Sequence, residues 1–281
     1  MIPSLRSSTT RRLACLASLL PAAAGASTVT APARPHQVTI TAHDYAFDAP
    51  DTLPAGLTTI TLRNRGHELH HVQLVRLEGG HTLPDFLGGL KAGGPPPEWA
   101  HLVGGPNTPV PGADAAATLD LAPGRYALVC FIPSADGAPH VMKGMSRELT
   151  VIAADHDDAT RSPVPSATMT LTDYAFALSR PLASGTTTLR VRNEARQPHE
   201  VLFLRLAPGK HVQDFASWVE HQAGPPPAAP IGGTSGIEHG GWNDLTLSLT
   251  PGHYALVCFL PDGGDGKPHA AHGMMREFAV R

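Results

Sequence analysis

Apolar and polar residues alternate along much of this chain with the period of two that a half-buried strand requires. Aliphatic residues trade places with threonine at 38–42 and 57–62, and shorter alternating runs follow at 72–77, 117–121, 125–131 and 148–152. Pro123 and Gly124 place a turn signal just before the run at 125–131. Residues 83–91 read as a short helix, and helix-period patterns are otherwise scarce. The pattern predicts an all-β chain.

The pattern then returns. Asp44, Tyr45, Ala46 and Phe47 reappear as Asp173, Tyr174, Ala175 and Phe176, an offset of 129. Arg63-Asn64 and Asp85-Phe86 return at the same offset as Arg192-Asn193 and Asp214-Phe215. Solenoid repeats run about 20–50 residues, so a period this long marks duplicated domains. We expect two tandem β-sandwich domains, at 36–153 and 167–281, joined by a polar, proline-bearing linker at 154–166.

Composition supports this reading. Charged residues make up only 16% of the chain, while Gly and Pro number 28 each, which suits many short strands joined by turns. The formal net charge of -3 gives no basic patch, so no nucleic acid partner is expected. Arg6, Arg11 and Arg12 precede an apolar run at 13–20 and then Ala24-Gly25-Ala26, a small-x-small cleavage pattern. Residues 1–26 are therefore expected to be a removed signal peptide, and the mature chain to be periplasmic or secreted. The run is too short for a lasting anchor and no later stretch spans a bilayer, so the protein is not expected to be transmembrane.

Export changes the meaning of the cysteines. Of three, Cys15 falls in the leader, leaving Cys130 and Cys258 at equivalent places in the two copies. A disulfide needs Cα atoms roughly 5.5 Å apart, which equivalent buried positions in separate domains rarely offer. Each cysteine ends an apolar strand and is followed by a Gly/Pro/Asp-rich loop, a Pro-His pair and a Gly-Met pair. The residues are Cys130, His140 and Met145 in the first copy, and Cys258, His269 and Met274 in the second. Thiolate, imidazole and thioether are soft or borderline ligands that suit copper. Upstream, His70 and His199 open equivalent apolar strands, six residues after Asn64 and Asn193. Either cysteine alone reads as readily as a buried core residue; two constellations in step favour a metal site. His71 and Glu200, one residue further on, differ between the copies and fall outside the shared pattern, and His272 is a second candidate beside His269.

An asparagine and histidine on an early strand, a Tyr-x3-Cys strand, and Pro-His-x4-Met before the last strand resemble the cupredoxin family of blue copper proteins. The resemblance covers both copies. It implies tandem Greek-key β-sandwiches holding up to two type 1 coppers, one through His70, Cys130, His140 and axial Met145, the other through His199, Cys258, His269 and Met274. The long loop from cysteine to second histidine is similar to that of copper nitrite reductases. Those enzymes carry a histidine beside the type 1 cysteine as a ligand to a second copper, and here Val129 and Val257 occupy that place. The expectation is therefore an electron carrier, not an enzyme, and such a carrier implies a redox partner protein. A periplasmic Cu(I) carrier or storage protein, drawing on Met142 and Met275, and a metal-free binding module are the alternatives.

Overall fold

The computed structural model describes Met1, Pro3 and residues 34–93, 96–154, 162 and 164–281. The expected signal peptide lies outside these residues apart from Met1 and Pro3, as do positions 155–161 and 163 of the expected linker.

The first copy supplies β1 His36–His43, β2 Ala46–Asp48, β3 Thr52–Pro54, β4 Gly56–Asn64, β5 Gln73–Leu77, β6 Ala100–Gly104, β7 Asp114–Leu121, β8 Gly124–Val129 and β9 Ser146–Ile152. The second supplies β10 Ala167–Thr172, β11 Ala175–Leu178, β12 Gly185–Asn193, β13 His199–Leu206, β14 Ala228–Ile237, β15 Trp242–Leu249, β16 Gly252–Val257 and β17 Met275–Val280. Helices α1, Leu83–Ala92, and α2, Val212–His221, occupy equivalent places in the copies. Thr82 begins α1 with a capping box closed by Asp85, and Gly93 ends it in the left-handed conformation. The chain is all-β in architecture, two tandem sandwiches.

The sheets are not purely antiparallel. β1 runs parallel to β4 and β10 parallel to β12, and β3 runs parallel to β9. After β2 the first copy crosses to the opposite sheet as β3 before returning as β4, so β4 arrives running in the direction of β1.

Alternation decides what each strand faces. In β8, Tyr126 and Leu128 point into the sandwich core, and Cys130, the next residue in that series, joins the same cluster. Ala127 and Val129 point outward, where Phe86 of α1 covers them. The second copy repeats this, with Tyr254, Leu256 and Cys258 inside and Ala255 and Val257 against Phe215 of α2. Around β8, β13 and β16 the sheet is thus buried on both faces, which explains the apolar run Val201–Leu204 within β13.

The two copies share their sheets. β7 pairs with β15 through Ala117 and Leu245, and β6 meets β14 at Val103 and Ile237. Beyond β6 the chain lies against β14 with an approximate two-fold symmetry about the Pro106–Thr234 bridge. The Asn107 N–H donates to the Gly233 carbonyl at 3.0 Å, and the Ser235 N–H to the Gly105 carbonyl at 2.9 Å. Both glycines are required here. At Gly105, with φ of 131°, a Cβ would lie 2.4 Å from the Val72 carbonyl oxygen, and at Gly233, with φ of 139°, 2.0 Å from that of Val201. Gly233→Ala is therefore expected to lower unfolding free energy by about 1–3 kcal/mol, read from urea denaturation of the metal-free protein.

Candidate metal centres

β8 delivers Cys130 to one end of the sandwich, and the segment before β5 delivers His70 beside it. The loop 131–139 then folds back, so that the His140 N–H donates to the Ile132 carbonyl and the Val141 N–H to the Cys130 carbonyl, at 2.9 and 2.8 Å. A single 3₁₀ turn, His140–Lys143, ends at Gly144, and the Met145 N–H returns to the His140 carbonyl at 2.9 Å. The Cys130 N–H in turn donates to the Met145 carbonyl at 3.3 Å. The backbone thus ties the cysteine, the second histidine and the methionine into one knot. His70, Cys130, His140 and Met145 are all 0% exposed.

Three donor atoms converge. Nδ1 of His70 and Nδ1 of His140 stand 3.0 Å apart, and Nδ1 of His140 is 3.5 Å from Cys130 Sγ. The outer nitrogens are held by carboxylates, Asp44 at 2.7 Å from Nε2 of His70 and Glu68 at 2.9 Å from Nε2 of His140. A carboxylate on Nε2 fixes the ring proton there and leaves the Nδ1 lone pair facing inward. Tyr45 steadies Glu68 by donating to Oε1 at 2.6 Å. The His71 backbone N–H points at the sulfur at 3.5 Å, as needed to stabilise a thiolate.

The second copy repeats this with differences. Cys258 Sγ lies 3.9 Å from Nδ1 of His199 and 3.4 Å from Nδ1 of His269, and the Glu200 N–H points at it at 3.5 Å. Met274 is fully buried in the cluster that holds Cys258. The outer carboxylates sit less closely. Asp173 is 3.3 Å from Nε2 of His199. Gln197 stands where the first copy has Glu68, and the acid comes instead from Asp262, at the place of Ser134. Asp262 reaches only to 3.9 Å, leaving Nε2 of His269 buried without a hydrogen-bond partner. Gly66 explains part of the difference. A Cβ there would lie 2.3 Å from Asp44 Oδ1 and 2.6 Å from Nε2 of His70, and the second copy carries Ala195 at that position.

Burial dominates the electrostatics. It pushes the Cys130 thiol up to about 12 and the Cys258 thiol up as well, so both are protonated near neutrality. It lowers His70, His140 and His199, and takes His269 down to about 4, so the rings are neutral. For Asp44, burial acts upward, but hydrogen bonds from His67 and His70 outweigh it and hold the carboxyl below its usual range. Neutral imidazoles and a thiol that must lose a proton are what a soft cation would meet on entering.

The structure brings together the two histidines and the cysteine expected in each copy, and the groups around them were not expected from the sequence. Asp44, Glu68, Asp173 and Asp262 were not singled out, although the Asp-Tyr pair at 44–45 and 173–174 was a signal, being a polar pair kept in both copies. His272 stands outside the second centre, paired with Asp265 at 3.1 Å. Met142, weighed as a Cu(I) ligand, is 46% exposed. The third cluster of metal-ligating side chains among the described residues is the more exposed Asp262, Asp265 and His272 group.

No family model and no curated protein matches the chain. Among solved structures it is similar to a reduced auracyanin from Roseiflexus castenholzii, at 24% identity over 43% of this chain and 99% of that one, with a TM-score of 0.29. Auracyanin A from Chloroflexus aurantiacus, a blue copper protein, shows 22% identity over 42% and 99%, with a TM-score of 0.30. A copper nitrite reductase from Nitrosomonas europaea shows 13% identity over 88% and 94%, with a TM-score of 0.26.

Two outcomes follow from the geometry. Because each thiol is protonated near neutrality, cation binding must release a proton, so affinity should rise with pH, by about tenfold per unit between pH 7 and 8. Competition titration at several pH values measures this slope, and a flat profile would mean that the thiol is not a ligand. Gly66→Ala should push Asp44 from His70 and weaken the first centre by about 10–100-fold, with the second centre unchanged in the same titration.

Proposed function

We propose that this protein is an exported electron carrier binding copper at two type 1 centres, one per copy. The observation that carries the reading is the convergence of two imidazole Nδ1 atoms and a thiol at a dry point, with the outer nitrogens at the first centre committed to carboxylates. Two lone pairs 3.0 Å apart in a buried pocket repel unless a cation lies against them. Two nitrogens and a sulfur, with a buried methionine in the same core cluster, form the donor set that suits both copper oxidation states. Copper bound there would supply a one-electron couple.

The chain's own residues do the rest. Asp44 and Glu68 orient the imidazoles, the His71 N–H tunes the sulfur, and the loop from 131 to 145 excludes water. The backbone ties among Cys130, His140 and Met145 would hold the donor side chains in place whichever oxidation state is bound. Val129 and Val257, beside the cysteines, are packed under α1 and α2, so neither neighbour of the thiol is placed to hold a second metal. This favours a carrier over an oxidase or nitrite reductase. Among the described residues no helix is long and apolar enough to cross a membrane. Export rests on the leader pattern at 1–26, and N-terminal sequencing of the mature protein tests it.

A Cu(I) carrier draws support from one observation, the exposed thioether of Met142 within the turn that carries His140. Three variants separate the readings. Copper-loaded protein should be intensely coloured, Cys130→Ser should remove about half of that colour, and Met145→Leu should keep both copper and colour with a raised potential, at a cost to the fold of under about 1.5 kcal/mol. Steep loss of Cu(I) affinity in Met142→Leu, without colour in the parent, would establish the carrier instead.

A further inference from the structure

His71 and Glu200 are buried ionisable groups that the two centres leave unused, and they occupy equivalent positions in the copies. Each holds the backbone of the residue that follows its own copy's cysteine. The Phe131 N–H donates to Nε2 of His71 at 3.0 Å, and the Phe259 N–H donates to Oε1 of Glu200 at 2.9 Å. Asn107, on the seam, links the two copies. Its amide nitrogen donates to Oε2 of Glu200 at 3.1 Å. Its backbone is tied to the His71 segment through the preceding residue, because the Val72 N–H donates to the Pro106 carbonyl at 3.0 Å. The Thr108 N–H fixes the amide by donating to its oxygen at 2.8 Å. His71, Asn107 and Glu200 are all buried.

We propose that a conduit running from Phe131 and His71, through the Val72–Pro106 hydrogen bond, to Asn107, Glu200 and Phe259 would let the two centres exchange an electron. The conduit starts one covalent step beyond one cysteine and ends one step beyond the other. The His71 and Glu200 N–H groups, each pointing at its own copy's sulfur at 3.5 Å, add a second contact at either end. Electronic coupling decays less through covalent and hydrogen bonds than across non-bonded gaps, and a fully satisfied buried network is held rigid. In the step itself one centre loses an electron and the other gains it. No bond forms or breaks and no proton crosses. His71, Asn107 and Glu200 are positioning residues here, and none is a metal ligand.

The inference rests on copper occupying both centres, and the experiment separates the two claims. Copper-loaded protein is reduced by a pulse of a small radical carrying less than one electron per molecule, and both chromophores are followed. A second-order phase should be followed by a first-order phase whose rate does not depend on protein concentration. That phase should be absent from Cys130→Ser and from Cys258→Ser. Glu200→Gln keeps the volume but breaks the chain, because in either orientation its NH₂ group meets the Phe259 N–H or the Asn107 NH₂. It should slow the first-order phase severalfold, and Asn107→Leu, which leaves charge unchanged, should do the same while colours and potentials hold. Ser235→Ala, which removes a seam hydrogen bond to the Val72 carbonyl outside the conduit, should not slow it. A readout without electron transfer uses Zn(II) bound to Cys258→Ser protein. The Phe259 amide resonance should move on loading the first centre and cease to move when Asn107→Leu is added. Absence of colour in the parent overturns the copper reading and this one with it. Two coloured centres with no first-order phase, or with one that Asn107→Leu and Glu200→Gln leave untouched, overturn the conduit alone; if either variant fails to fold, the other decides.

Discussion

The constraint on which the structure turns is that two imidazoles and a thiol share one dry space. A buried polar atom costs free energy unless something satisfies it. At the first centre the outward nitrogens are satisfied by Asp44 and Glu68, so the inward ones are left as lone pairs with nothing but each other and the sulfur to face. The surrounding backbone is spent on holding that arrangement. Four main-chain hydrogen bonds among Cys130, Ile132, His140, Val141 and Met145 close the loop over it. The sandwich beneath can be read as the support for this knot: Tyr126 and Leu128 fix the direction of Cys130, and α1 seals the opposite face of its strand.

Duplication gave the chain two such spaces and then let them diverge. The acid that serves the second histidine moved from position 68 in the first copy to position 262 in the second, and lost contact in the move. Nε2 of His269 is left buried and unpartnered as a result. Ala195 in place of Gly66 accompanies the looser approach of Asp173, which is 39% exposed where Asp44 is 23%. The two centres are therefore electrostatically distinct although their donor atoms are the same. The seam adds a relation that neither copy has alone. Glycines at 105 and 233 let strand backbones approach closely enough for the copies to share both sheets, and the same approach brings Asn107 of one copy within reach of Glu200 of the other.

Much of the fold was legible because its signals are local. Period-two alternation found the strands, Pro123-Gly124 marked the turn before β8, and residues 83–91 became a helix with a capping box at its start. The internal repeat made the donor side chains legible too, since an offset near 129 paired each histidine, cysteine and methionine with its counterpart, and the x4 spacing to Met274 selected His269 over His272. The parallel pairing of β1 with β4 was not legible, because it depends on β3 crossing between sheets and no local pattern records that crossing.

The sequence by itself determined the elements, the duplication and which two histidines and cysteine of each copy come together, since these follow from periodicity and residue chemistry along a single strand or loop. Only the tertiary structure decided which acids face the imidazoles. Asp44 and Glu68 lie 26 and 72 residues from the histidines that they hold, and which atom of a ring is left facing inward depends on where those carboxylates stand. It also decided that His71 and Glu200, which differ between the copies and so drop out of any comparison of the repeats, each hold the backbone beside their own copy's cysteine. Asn107, the partner of Glu200, comes from a segment whose place is set by packing one copy against the other, a long-range contact that no spacing within either copy encodes.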